Sequence, residues 1–131
     1  MKHFTMNELV RSNTAINNEI DNEPTEDIKK NLINLVENVL DPLREAYGHP
    51  IHVNSGYRSK ELNKSIGGVP TSQHCLGQAA DITTGTKNGN KDLIAIAKSI
   101  NLPYDQLIDE KNGTWVHISY GPRNRHQFLR L

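Results

Sequence analysis

The sequence predicts a mixed fold in which helices pack against a few short strands. Three observations support this prediction. Apolar residues recur at spacings of three and four from residue 28 to residue 43, which indicates one amphipathic helix. Residues 79–83 have the length and alternation of a buried strand. Asn112-Gly113 lies between two alternating segments, which is a strong signal of a β-hairpin.

Length and composition limit what the chain can be. We expect its 131 residues to form a single domain, 1–131, with one core. Fifteen basic and 15 acidic residues balance, so the totals indicate neither nucleic acid nor an anionic membrane as a partner. Cys75 is the only cysteine, which excludes an internal disulfide. Apolar segments of signal-peptide or membrane-span length are missing, so we expect synthesis as a soluble cytoplasmic protein.

Helices are predicted where a capping residue precedes apolar periodicity. These signals place helices after the capping box Thr5-Met6-Asn7-Glu8, after Thr25, over residues 60–65 behind Ser59, and over residues 93–100. Pro42 is expected to bend or end the long helix, and Gly48 stops anything beyond it. Residues 12–23 and residues 87–90 are polar and are predicted to be loops.

The strands bring several polar side chains to one face. Residues 51–54 are predicted to form a further short strand. A two-residue turn at Asn112-Gly113 fixes the hairpin register: Lys111 with Thr114, Glu110 with Trp115, Ile108 with His117, and Gln106 with Ser119. Alternation then places Gln106, Glu110 and His117 on the same face. Asp109 points to the other face.

Three side chains predict a metal site. His74, Asp81 and His117 offer the nitrogen and oxygen ligands that zinc prefers, and three protein ligands leave a fourth position open. An aspartate inside an apolar strand is costly unless it is paired or bound to a metal. Each residue taken alone also has a purely structural interpretation: His74 as a loop histidine, Asp81 as a strand-end cap and His117 as a hydrogen-bonded core histidine. Cys75 is a weaker candidate ligand, because the adjacent His74 already points toward the metal and adjacent residues seldom both reach it. We expect Cys75 to be a small buried hydrophobic residue.

A hydrolytic site also needs a base and a group that binds negative charge. The hairpin register places Glu110 beside His117, which makes Glu110 the candidate base; the alternative is a solvated hairpin residue. Arg58 lies in a Gly-Tyr-Arg turn, and its planar guanidinium suits a substrate carboxylate or an oxyanion. The alternative there is an ordinary turn arginine. Substrate contacts are also assigned to Ser72, Gln73 and Gln106.

Four motifs carry a resemblance to a known family. They are Ser55-Gly56-Tyr57-Arg58-Ser59, the segment 63–68, Ser72-x-His74-x-x-Gly77-x-Ala79-x-Asp81, and residues 105–108 together with Trp115-Val116-His117. They resemble the M15 peptidases, enzymes of the zinc D-Ala-D-Ala carboxypeptidase type, and most closely the short M15A-like branch that is common in bacteriophages and prophages.

The resemblance implies an α+β fold with a small antiparallel sheet and helices packed on it, like that of Hedgehog domains and D-Ala-D-Ala peptidases. It implies Zn²⁺ held at His74, Asp81 and His117. The family's arginine matches Arg58, with a role in binding substrate or stabilising the transition state. One position departs: many relatives carry the catalytic acid three residues before the last histidine, where this chain has Thr114.

The function implied is that of a zinc metallopeptidase that hydrolyses peptidoglycan stem peptides, as a D-Ala-D-Ala carboxypeptidase or an endolysin-type endopeptidase. We expect a monomer that acts at the cell wall after release or as part of a virion. Thr114 favours an alternative, a weakly active or inactive zinc-keeping domain that binds the cell wall or belongs to a virion. A third interpretation is an intracellular amidase acting on a different small peptide.

Overall fold

The computed structural model of the protein describes residues 1–131 and has an α+β fold with helices packed on a five-stranded sheet. The helices are α1 (Met6–Val10), α2 (Asn13–Asn17), α3 (Glu26–Leu35), α4 (Asp41–Tyr47), α5 (Lys60–Ser65) and α6 (Lys87–Ser99). The strands are β1 (His52–Ser55), β2 (Ala79–Thr83), β3 (Gln106–Glu110), β4 (Trp115–Ser119) and β5 (Gln127–Arg130). No helix combines the length and apolarity needed to cross a membrane.

The sheet has the order β1-β2-β4-β3-β5, and every neighbouring pair is antiparallel except β3 with β5. The predicted small antiparallel sheet is therefore confirmed, whereas the parallel edge strand β5 was not predicted. One face of the sheet packs on the helices through side chains such as Ile82, Leu107 and Ile118, which are fully buried. Because side chains alternate along a strand, Asp81 and His117 lie on the opposite face.

The long helix continues through Pro42, which was predicted to bend or end it. Between α3 and α4 the backbone forms a π-helical segment (Val36–Leu40), in which the Asp41 N–H donates to the Val36 carbonyl five residues earlier. Such a wider turn accommodates the missing N–H and the ring of the proline. The helix ends at Gly48, whose φ of 82° is left-handed.

Two predicted loops contain helix instead. Residues 12–23 include α2, where the Ser12 hydroxyl accepts from the Ala15 N–H. Residues 87–90 form the first turn of α6, capped by Thr86, whose hydroxyl accepts from the Gly89 N–H. Both errors have the same cause, since a cap with a polar first turn shows no apolar periodicity. The capping box of α1 and the Ser59 cap of α5 are confirmed.

The hairpin has the predicted register but not the predicted turn. Ile108 pairs with His117 and Glu110 with Trp115. Three successive residues, 111 to 113, have positive φ, and the Thr114 N–H donates to the Glu110 carbonyl at 3.0 Å. The connection is therefore four residues long rather than a two-residue type I′ turn.

The segment between β4 and β5, residues 120–126, is called the strap here. It is fixed by Asp105, whose side chain is completely buried. The Asp105 carboxylate accepts three hydrogen bonds from Arg125, at 2.8 Å from the backbone N–H and 2.9 Å each from Nε and Nη2. A charge-assisted pair of this geometry fixes both position and orientation.

The ion pair predicts a specific loss of stability in acid. Hydrogen bonds from Arg125 outweigh burial and lower the pKa of Asp105 from 3.8 to about 2. Because the pKa of Asp105 is lower in the folded state, the stability that the ion pair contributes is complete above the ordinary aspartate pKa. This stability is lost as the pH falls to about 2. We expect Asp105→Asn to lower stability at neutral pH by about 1–3 kcal/mol, below the cost of breaking a fully buried pair because Arg125 is partly exposed.

Thermal unfolding followed by circular dichroism between pH 4 and pH 2 checks this prediction. The melting temperature of the wild-type protein should fall more steeply than that of Asp105→Asn, because only the wild type loses this ion pair on protonation. Parallel curves would show that Asp105 does not contribute through its charge.

Candidate functional site

Three side chains meet on the face of the sheet that points away from the helices. Asp81 lies in the middle of β2 and is the cross-strand partner of His117 on β4. His74 comes from a 3₁₀ turn (Gln73–Leu76) that precedes β2, and the Ser72 hydroxyl caps this turn by accepting from the His74 N–H at 3.1 Å. Two strands and a capped turn therefore hold the three side chains.

The distances within this cluster suit a metal ion. The Asp81 Oδ1 lies 3.0 Å from the His117 Nδ1 and 3.3 Å from the His74 Nε2. One donor atom from each residue lies within 4.8 Å of the other two. Ligands about 2.0–2.2 Å from a tetrahedral zinc are separated by roughly 3.3 Å, so the observed spacing fits that ion.

The orientation of His74 is set by a carbonyl outside the cluster. Its Nδ1 lies 2.7 Å from the Gly56 carbonyl oxygen, which can only accept, so Nδ1 carries the proton. The lone pair of Nε2 then faces Asp81, which is the arrangement of a metal-binding histidine with an outer hydrogen bond. His74 is only 2% exposed, so this tautomer is held in a dry environment.

Gly56 is required for this arrangement. A Cβ atom at Gly56 would lie 2.2 Å from the Leu9 carbonyl oxygen, which is a steric clash. The same oxygen accepts a hydrogen bond from the Tyr57 N–H at 2.7 Å. Helix α1 thus packs directly against the turn that orients His74. Any larger residue would push the turn and α1 apart.

The carboxylate of Asp81 is in the form that binds a metal. Burial raises its pKa, but the neighbouring imidazoles of His117 and His74 outweigh burial, and the pKa lies well below the usual aspartate range. Metal ligands must be deprotonated, so the cluster favours the form of Asp81 that a cation needs.

A cleft of about 810 Å³ opens over the cluster. It is lined by all eight residues that were predicted for the site: Arg58, Ser72, Gln73, His74, Asp81, Gln106, Glu110 and His117. The structure therefore brings these residues together. Cys75 is half-buried rather than buried as expected, and it is not part of the three-residue cluster.

Glu110 is an acidic side chain in the lining of this cleft. It lies on β3 opposite Trp115, and its carboxylate forms no hydrogen bond or ion pair within the chain. Asp109 points to the other face and accepts from the Gly113 N–H at 2.7 Å. Thr114 is exposed, and its hydroxyl donates to the Lys111 carbonyl at 2.7 Å. Thr114 itself does not line the cleft.

Arg58 brings a charge that the protein itself does not neutralise. Its guanidinium forms no ion pair, and its buried Nε has no hydrogen-bond partner. Burial lowers the pKa of Arg58, while the nearby Asp81 and Cys75 oppose this shift. Arginine stays protonated across ordinary pH. An unsatisfied donor in a cleft beside a metal-type cluster suits an anionic group of a ligand.

Of the other predicted contact residues, Ser72 and Gln106 have hydrogen-bond partners in the chain. Gln73 is buried, and its Oε1 has no hydrogen-bond partner. Gln106 donates to the Gln127 side chain at 2.8 Å, which ties it to β5. Ser72 supports His74 through the cap described above.

Three basic residues of the cleft lining were not predicted from the sequence. Lys111, Arg123 and Arg125 all line it. Their position depends on the strap and on the left-handed hairpin turn, which local patterns do not predict. The one available signal is the pair of arginines two residues apart after Gly121-Pro122.

Comparison with known proteins agrees with this geometry. A sequence model of the family described as peptidase M15 matches residues 2–119, which include the whole cluster. The chain is also 43% identical over 49 residues to the zinc D-Ala-D-Ala carboxypeptidase of Streptomyces albus G. That alignment covers 37% of this chain and 19% of the relative. Because the family model matches most of the length of this chain, the chain belongs to the peptidase M15 family.

Proposed function

We propose that the protein is a zinc-dependent peptidase that hydrolyses peptide bonds in bacterial peptidoglycan stem peptides. The observation that carries this proposal is the His74–Asp81–His117 cluster in the lining of a cleft that also contains an unpaired arginine and an unpaired glutamate. The relative from Streptomyces albus G, named a zinc D-Ala-D-Ala carboxypeptidase, supports the choice of metal and substrate class.

His74, Asp81 and His117 would hold the zinc ion through one donor atom each. When bound, zinc acts as a Lewis acid that lowers the pKa of water and polarises a peptide carbonyl. The remaining steps belong to the side chains of this protein. Because Gly56 fixes the tautomer of His74, the ligand set is oriented before substrate arrives.

Glu110 is proposed as the general base. It takes a proton from the attacking water and returns it to the amine that leaves, which is the dual role of a carboxylate in peptide hydrolysis. Arg58 is proposed to bind a substrate carboxylate or the developing oxyanion, using guanidinium donors that have no partner in the chain. Ser72, Gln73 and Gln106 are proposed to contact the substrate along the same cleft.

A second candidate function is a zinc-keeping domain that binds the cell wall or forms part of a virion without cleaving a bond. The observation that favours it is Thr114, which places no acid at the position where many relatives carry the catalytic one. A free Glu110 in the cleft favours the peptidase. For a peptidase we propose action at the wall after release from the cell or from a virion.

Mass spectrometry of purified stem peptides tests the proposal. The zinc-loaded protein and a chelator-treated sample are incubated with the same peptides. Loss of one terminal alanine identifies a carboxypeptidase, whereas two internal fragments identify an endopeptidase. Metal-dependent cleavage is the expected result. If the zinc-loaded protein binds the peptides but leaves all of them intact, the result would contradict the peptidase and favour the second candidate function, a zinc-keeping binding domain.

A further inference from the structure

The turn that contains Arg58 is bonded to the segment that contains His74. The Arg58 N–H donates to the His74 carbonyl at 3.1 Å, and the Gly56 carbonyl lies 2.7 Å from the His74 Nδ1. Both contacts use peptide groups that precede the Arg58 Cα atom. The peptide group that follows Arg58 therefore needs a partner from another part of the chain.

Asn22 is that partner. It lies in residues 18–25, which connect α2 to α3 and are called the α2–α3 connection here. Its Oδ1 accepts from the Ser59 N–H at 2.7 Å, and its Nδ2 donates to the Tyr57 carbonyl at 3.1 Å. One side-chain amide thus bonds both peptide groups that flank Arg58. The same Nδ2 also donates to the carbonyl of Val10, the last residue of α1, at 2.7 Å.

The three partners of Asn22 match the chemistry of an asparagine amide. The carbonyls of Val10 and Tyr57 can only accept, and the Ser59 N–H can only donate, so the surroundings fix which side of the amide is oxygen. An aspartate would keep the bond from Ser59 but would lose both donors. It would also place a carboxylate against two carbonyl oxygens.

The other hydrogen bonds of the α2–α3 connection stay within it or with the adjoining helices. The Ile20 N–H donates to the Ala15 carbonyl at 2.8 Å, and the Glu23 N–H donates to the Asp21 carboxylate at 2.9 Å. Asn22 is the residue of this connection that reaches the Arg58 turn. It either anchors the connection only, or it also orients Arg58.

Arg58 depends on its backbone for its orientation. Its side chain forms no ion pair, and its buried Nε has no hydrogen-bond partner, so no acid of the chain holds it. Arg58 lines the cleft and also a second cavity of about 420 Å³, which residues of α1 and β1 line as well. A guanidinium on a loosened turn could move toward that second cavity. Fixing the turn lowers the cost of ordering the long side chain when a ligand binds.

We propose that Asn22 is a positioning residue that acts on the reaction through Arg58. This inference rests on the proposed function, in which Arg58 binds a substrate carboxylate or the oxyanion. Asn22 does not line the cleft and is not part of the metal-type cluster. Its effect on hydrolysis therefore has to pass through the turn whose two peptide groups it bonds.

Nuclear magnetic resonance of the Arg58 Nε–H group tests the positioning itself. The heteronuclear NOE of the Nε nitrogen reports how freely this group moves on the picosecond to nanosecond timescale. In zinc-loaded wild-type protein we expect a higher value for Arg58 than for the exposed Arg130. Asn22→Ala should lower the value for Arg58. The value for Arg125, whose Nε is bonded to Asp105, should stay unchanged.

A double-mutant cycle tests whether Asn22 acts through Arg58. The kcat/KM for hydrolysis of a stem pentapeptide is measured for the wild type, Asn22→Ala, Arg58→Ala and the double variant. We expect Asn22→Ala to lower kcat/KM by about 10-fold, as hydrogen bonds that orient a substrate-binding group are lost. In the Arg58→Ala background the same substitution should change kcat/KM by less than about 2-fold. Zinc affinity should stay at the wild-type value in Asn22→Ala.

Asn18→Ala is the matched control. Asn18 belongs to the same connection and is exposed, and its side chain donates to the Thr14 carbonyl at 2.9 Å without reaching the Arg58 turn. Its loss should leave both the Arg58 NOE and kcat/KM unchanged. Asn22→Asp is a second variant, for use if Asn22→Ala does not fold. It should lower both quantities, because it keeps the acceptor for Ser59 and loses both donors.

The outcomes separate this inference from the proposed function. An Arg58 NOE that is equal in the wild type and the Asn22 variants would overturn the positioning role. A loss of kcat/KM that is equally large in the Arg58→Ala background would also overturn it, because Asn22 would then only anchor the α2–α3 connection. A lowered NOE without hydrolysis of any stem peptide by the wild type would keep the positioning of Arg58 and overturn the peptidase. Hydrolysis with an unchanged NOE would do the reverse.

Discussion

Replacing Glu110 with glutamine is expected to reduce the kcat for stem-peptide hydrolysis by about 10²–10⁴-fold, the usual contribution of a general base. The substitution keeps the size and the hydrogen-bonding ability of the side chain but removes its capacity to accept a proton. Zinc affinity should stay at the wild-type value, because Glu110 is not one of the three clustered residues. Steady-state kinetics and zinc titration measure the two properties separately.

Glu61→Gln is the control for this prediction. Glu61 is exposed on α5 and does not line the cleft, so its loss should leave kcat unchanged. If Glu110→Gln retained the wild-type kcat, Glu110 could not be the base. Neither neighbouring position could supply the base instead, because Asp109 faces away and position 114 holds a threonine.

Replacing His117 with alanine is expected to remove both zinc binding and hydrolysis. The substitution deletes one of three ligands and leaves Asp81 with a single imidazole neighbour. Zinc affinity should fall by more than the roughly 10- to 100-fold that follows the loss of a residue that only supports a ligand. Competition with a coloured chelator measures this affinity.

His49→Ala provides the matched control, since His49 is exposed and lies outside the cluster. It should bind zinc like the wild type. Circular dichroism of both variants shows whether the fold is retained. Wild-type zinc affinity in a folded His117→Ala variant would contradict the assignment of this residue as a ligand.

Much of the fold was predictable because its signals are local. Helix α5 and strand β2 have the bounds that the Ser59 cap and the alternation around Asp81 predicted. The hairpin register was also predictable, because the pattern of the two strands and the position of the turn allow few pairings. Register in turn decides which side chains share a face, so His117 and Glu110 could be placed beside the cleft.

Other parts of the fold depend on contacts between distant segments. Strand β5 pairs in parallel with β3, and this placement relies on the burial of Asp105 and its bonds to Arg125. The π-helical segment before Pro42 keeps a helix intact where local rules end it. Neither feature has a periodic signal in the sequence.

The candidate site likewise has one part that the sequence predicts and another that depends on contacts between distant segments. The cluster of His74, Asp81 and His117 was predictable from residue types and strand faces. The carbonyl of Gly56 that orients His74 was not, because its role depends on how closely the turn approaches Leu9. Arg123 was missed as well, since its position follows from the strap.

His74, Asp81 and His117 are proposed to form one zinc site in the lining of the cleft. Crystals of zinc-loaded protein, measured on both sides of the zinc absorption edge, test it directly through the anomalous difference map. We expect one strong peak within about 2.0–2.2 Å of the His74 Nε2, an Asp81 carboxylate oxygen and the His117 Nδ1. A map with no peak there, or with zinc bound at Cys75 instead, would contradict the proposed metal centre.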